Sequence, residues 1–226
     1  MLISRVGYIS AGHIMFPNYN VVYTEKVTPI KNRQVIVIDP GHGGPDNGAT
    51  GINGAKEKDI NLCVSKMVGE ILSVMDFDVR FTRTEDISPG NTDKFVKRVD
   101  LSQRVKFARG FDEPIFLSIH MNKFGVEKYS GAQTFYSKNN LSSEILAIKL
   151  QRAIRQLLQP DNNREVKKAG SSIFVLDRLE VPAVLCECGF LSNTKEAELL
   201  TQNKYQKKLA FSIAMGVADY FKNEEI

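Results

Sequence analysis

No run in these 226 residues approaches the roughly 18 consecutive apolar residues that a membrane-spanning helix needs. Cysteine is scarce. Cys63, Cys186 and Cys188 form an odd set without framework spacing, which argues against a disulfide scaffold. No second Cys or His pair stands where a cysteine-based metal site would need it. The three thiols are therefore expected to be buried small hydrophobes, with Cys186 and Cys188 on one face of a strand. Charge of one sign is also in short supply. The net +4 is mild, and no basic cluster is interleaved with aromatics, so nucleic acid is not an expected partner. No linker, internal repeat or low-complexity tract divides the chain. What is present is 42% apolar residues, enough for a sizeable core, and an ordinary 25% charged.

The most informative stretch is VIVIDPGHGGPDNGATG, residues 35–51. Val35 to Ile38 are apolar at every position, as in a strand covered on both faces of an α/β sheet. The run stops at Asp39-Pro40 and opens into a glycine loop carrying His42. Residues 1–30 lack periodicity and read as an irregular arm that includes His13. They fit the remnant of an export or anchoring segment, or an irregular lead. A catalytic domain over 31–226 would follow. After the glycine loop, Ile60, Val64, Met67, Val68, Ile71 and Leu72 recur at helical spacing, so a helix starting near Ala55 places Glu57 in its first turn. Residues 77–82 alternate as a strand. Residues 86–99 are polar with Pro89-Gly90 and read as a loop or insertion. Leu101, Val105 and Ala108 mark a second helix. Residues 114–119 are another buried strand that ends on His120. Further strands are expected over 131–136 and 181–188, with a short extended segment at 172–176 and a basic surface loop at 161–170. Helices are expected over 141–158, 194–200 and 202–221. The alternation predicts one α/β domain, a central, mostly parallel sheet with helices on both faces.

Sites in such folds collect at the carboxyl ends of strands. His42 and His120 both sit there, Glu57 opens the intervening helix, and Glu187 lies on the last strand. Two imidazoles and a carboxylate match a catalytic zinc ligand set with one position open. A second carboxylate that is not a ligand can move the proton between water and a leaving amine, and Glu187, arriving from a different strand, suits that role. Each residue has a blander reading: a structural histidine, or a glutamate complementing a helix dipole. Glu187 weighs most, because a carboxylate in so apolar a run is costly unless paired or used. The loop has neither a Gly-Lys-Ser/Thr ending nor a Gly-x-Gly-x-x-Gly pattern, which disfavours a phosphate cradle.

Asp39-Pro-Gly-His42-Gly-Gly, Gly48-Ala49, Glu57-Lys-Asp59, Ser118-Ile-His120-Met-Asn122 and Glu187-Cys-Gly-Phe190-Leu-Ser-Asn193 occur in order. Together they resemble the successive motifs of zinc-dependent N-acetylmuramoyl-L-alanine amidases of the type 3 family. The resemblance runs from about residue 34 to 221. It implies a sheet of about six strands, Zn2+ held by His42, Glu57 and His120, and Glu187 as the catalytic carboxylate. The reaction implied is hydrolysis of the amide between the lactyl group of N-acetylmuramic acid and L-alanine of peptidoglycan stem peptides. Asn122 and Arg104 are candidates to touch substrate or to orient the ligands, and Lys or Arg in nearby loops to meet stem carboxylates. Within the family the chain is similar to the germination-specific spore-cortex enzymes. That implies action outside the cytoplasmic membrane, on cortex destined to carry muramic-δ-lactam. An activating protein partner is a further expectation, since three protein ligands do not guarantee tight zinc binding. The competing readings are an inactive peptidoglycan-binding module and a zinc peptidase cutting within the stem.

Overall fold

The computed structural model describes residues 33–90 and 94–222. The expected arm over 1–30 lies outside these. Twelve elements follow one another: β1 (Val35–Pro40), α1 (Glu57–Val74), β2 (Asp78–Phe81), α2 (Lys97–Ala108), β3 (Ile115–Asn122), β4 (Gln133–Tyr136), α3 (Ser142–Leu157), β5 (Lys167–Lys168), α4 (Phe174–Arg178), β6 (Ala183–Phe190), α5 (Thr194–Leu200) and α6 (Asn203–Tyr220). The strands form one sheet in the order β2-β1-β3-β6-β4-β5. β1 pairs in parallel with β2 and β3, and β3 with β6; β4 runs antiparallel to β6, and β5 lies parallel to β4. The mostly parallel six-stranded sheet agrees with the sequence pattern.

The unbroken apolar runs follow from burial on both faces. Ile36, Ile38, Leu117, Ile119, Val184 and Cys186 belong to one core with residues of α1, α3 and α6. Val37, Phe116, Ala183 and Leu185 belong to another with residues of α2 and α4. On α1 the buried positions Ile60, Val64, Val68 and Leu72 recur every four residues, which is one face of a helix. Cys186 and Cys188 are buried with sulfurs 3.7 Å apart, as same-face strand residues should be, whereas Cys63 is only half-buried. Among the described residues no helix is long and apolar enough to cross a membrane.

Three local expectations are corrected. Residues 172–176 do not extend; Phe174–Arg178 coil into α4, because Val175, Leu176 and Leu179 then share one buried side against α2. The loop at 161–170 contributes a two-residue lysine edge strand, β5, paired with Phe135 and Tyr136. α2 begins at Lys97, earlier than its apolar spacing suggests, where Asp100 pairs with Arg104 one turn on.

Candidate active site and metal centre

β1 carries the chain to Asp39-Pro40 and into the glycine loop. His42 then takes a φ of +63°, a left-handed conformation that costs a non-glycine residue about 1–2 kcal/mol and is kept only when its surroundings impose it. The imposing contacts are visible. Arg104 donates to the His42 carbonyl (2.7 Å) and to Pro40 O (2.9 Å). Arg83, 2% exposed, donates to Pro40 O, Gly41 O and Lys58 O. His42 Nδ1 meets Asp46 Oδ2 at 2.8 Å, which turns Nε2 toward Glu57 Oε2, 3.2 Å away.

Glu57 begins α1, but its carboxylate does not serve as a helix cap. Oε2 accepts from Ala49 N (2.8 Å), and Oε1 accepts from Met121 N (3.1 Å) and lies 2.9 Å from His120 Nδ1. The two imidazoles stand 4.9 Å apart, edge to face. One ligand atom from each of His42, Glu57 and His120 lies within 4.8 Å of the other two. The glycines make this closeness possible. A Cβ on Gly41 would stand 2.3 Å from His120 Nε2, and one on Gly48 would stand 2.5 Å from Glu57 Oε2. The loop's glycines therefore make room for the side chains of this cluster.

His120 lies within β3, and its register partner on β6 is Glu187. Glu187 Oε2 is buried and has no hydrogen-bond partner among the described residues. Burial drives its carboxyl up to about 7; the positive charge of His120 opposes this and the negative charge of Glu57 adds to it. Glu57 behaves oppositely. Burial alone would raise it, but hydrogen bonds and charge from His120 and His42 hold it well below the usual carboxylate range. Burial would lower His42, yet Asp46 and Glu57 together lift it to about 9. Two carboxyl groups pushed apart in this way are suited to different jobs.

The residues expected at the site fall into two groups. His42, Glu57, His120 and Glu187 converge. Arg104 does not reach the cleft surface as a free cation: it is 2% exposed and clamped between Asp39 and Asp100, both at 2.7 Å. Asp39 in turn accepts from Thr82 and Ser118 and is held charged against its own burial, chiefly by Arg104. Arg104 thus supports the loop from beneath. Asn122 ends β3, where its carbonyl accepts from Leu191 N (2.8 Å) opposite Phe190. The sequence reading missed Asp46 and Arg83. Asp46 had a signal, four residues after His42 in the same loop; Arg83 follows a strand with nothing to distinguish it from a surface arginine.

An α/β sheet bearing a His–Glu–His cluster and an unpaired buried carboxylate at its carboxyl edge defines a hydrolase whose site can hold a metal ion. Residues 36–219 match the family described as N-acetylmuramoyl-L-alanine amidase, and the chain belongs to that family. It is 38% identical over 192 residues to the germination-specific N-acetylmuramoyl-L-alanine amidase of Bacillus subtilis, covering 83% of this chain and 80% of that protein. It is 31% identical to the amidase AmiA of Escherichia coli, covering 84% of this chain and 76% of that one. Among solved structures, the CwlD amidase of Clostridioides difficile, in complex with the GerS lipoprotein, superposes with a TM-score of 0.76 at 36% identity, covering 83% of this chain and 98% of that one.

Proposed function

We propose that residues 31–226 form a zinc-dependent catalytic domain that cleaves the lactyl–L-alanine amide of peptidoglycan stems, in spore cortex on the route to muramic-δ-lactam. The observation that carries the reading is Glu187 Oε2, buried and unpartnered one strand away from three convergent ligand atoms. An orphaned buried carboxylate oxygen is expensive unless it is used. The donor set fits zinc, which takes imidazole nitrogen and carboxylate oxygen and leaves catalytic sites one open position. His42 Nε2, His120 Nδ1 and a Glu57 oxygen would hold the ion, with Asp46 orienting His42. When bound, zinc supplies a Lewis acid that polarises the scissile carbonyl and acidifies water.

The chain's own residues supply the proton handling. Glu187 takes a proton from the attacking water and passes it to the departing alanine nitrogen, a use matched by a carboxyl near neutrality. The reading places the enzyme outside the cytoplasmic membrane, in agreement with the cell-wall chemistry of the family. A protein partner that completes or stabilises the zinc site is also part of it, supported by the lipoprotein bound to the Clostridioides difficile relative. The test is metal analysis of protein purified alone and with candidate partners, paired with mass spectrometry of digested cortex. Free lactyl carboxylates and intact stem peptides released only by metal-loaded protein are expected. Cleavage inside the stem, or full activity after chelation, would overturn the proposal.

A further inference from the structure

We propose that Arg164 recognises a carboxylate of the stem peptide on the leaving-group side of the scissile amide and so sets which stems are cut. The inference rests on the amidase reading above, with Glu187 as the proton donor. A donor to the leaving nitrogen must stand on the peptide side of the metal ligands. Glu187 does so in a definite direction: across the sheet from β3 to β6, beside His120. The next strand in that direction is β4, and the register partner of Glu187 there is Gln133. Neighbouring strands are about 4.8 Å apart, so Gln133 stands about one residue's length beyond the proton donor along an extended peptide.

Gln133 presents a cation. Arg164 Nη1 donates to Gln133 Oε1 (3.3 Å) and Arg164 Nε to Ser130 O (2.7 Å), while the guanidinium lies 4.7 Å over the ring of Phe190. Phe190 is itself fixed, its N–H donating to Glu196 Oε2 (2.7 Å). Arg164 N donates to Asn162 Oδ1, and its carbonyl accepts from Gln151 and Arg155. The side chain is half-buried, held by three groups, and makes no direct ion pair among the described residues. Two of its five N–H groups are used, and Nη2 donates to no described residue. An arginine immobilised this way is pre-organised to grip a carboxylate with little further loss of freedom. Three other cations near this end of the sheet are already occupied. Lys58 pairs with Asp86, Arg104 with two aspartates, and Arg83 with backbone carbonyls.

The test compares two synthetic N-acetylmuramoyl-L-alanyl peptides, differing only in a free carboxylate or a carboxamide on the residue after alanine. For zinc-loaded wild type, kcat/KM is expected to favour the carboxylate about 10- to 100-fold, the range of a charge-assisted bidentate contact. In Arg164→Met that ratio should collapse toward one, mainly through KM. Arg164→Lys, which keeps the charge without the fork, should fall between. Equal kcat/KM on both substrates in wild type, or an unchanged ratio in Arg164→Met, overturns the inference and leaves the amidase reading standing. Release of alanyl peptide from neither substrate overturns the amidase reading itself. Circular dichroism of both variants separates a local effect from unfolding.

Discussion

Three donor atoms that face one another across less than 5 Å need a positive charge between them. In the metal-free site a proton on His42 supplies it, and Asp46 and Glu57 together lift that imidazole to about 9 against its burial. Its folded value lies above the ordinary 6.5, so the imidazolium stabilises the metal-free fold fully below about pH 6.5. That contribution is lost as pH rises through 9. Metal binding runs the other way, because it must displace this proton. Zinc affinity is therefore expected to rise with pH, by up to about tenfold per unit below 9 for one displaced proton. Titration calorimetry near pH 7 in buffers of different ionisation enthalpy should register the release. Thermal melts should show the gap between loaded and metal-free protein widening from pH 6.5 to 9. Glu187→Gln separates holding from turnover. Metal content should stay at the wild-type level while kcat falls by about 10²- to 10⁴-fold, the worth of a positioned acid–base group. A variant that retains wild-type kcat would remove Glu187 from the reaction.

At the scale of elements, the loop after β1 and the polar layer beneath it act as one device. Gly41→Ala would push a methyl into the His120 ring. A drop in zinc affinity of at least tenfold is expected with the far-ultraviolet spectrum unchanged, since the clash is with the proposed ligand His120 and not with the core. Arg104→Met removes the partner of two buried aspartates, Asp39 and Asp100. Breaking such a pair from one side costs about 3–5 kcal/mol, which urea unfolding would measure, and it also frees the strained His42 peptide. The convergence of His42, Glu57 and His120 was legible in the chain because each follows an unbroken apolar run or opens the helix after one. Arg104 was legible only as a candidate: nothing local tells a buried two-aspartate clamp from a helix-surface arginine. α4 was misread because Ile173 to Leu176 is a short apolar run, for which periodicity cannot choose between strand and helix. β5 was missed because two lysines carry no strand signal; they are an edge, and charge there discourages pairing with another sheet.

For the whole molecule, stability comes from two cores and not from cross-links. The free thiols of Cys186 and Cys188 are buried side by side, and Cys188 is pushed up by the hydrogen bond it donates to Cys186 Sγ and by burial. A thiol reagent should modify no more than Cys63 in the folded protein, and all three residues in denaturant; rapid reaction of all three under native conditions would contradict the packing. The sheet order has a consequence for synthesis. β6 is the last strand in the chain, yet it lies between β3 and β4 and carries Glu187. A nascent chain that stops short of Ala183 has two unjoined half-sheets, two open inner edges and no Glu187. With Glu187 in its proposed role, the hydrolase would be inert while it is being made and competent only when β6 closes the gap.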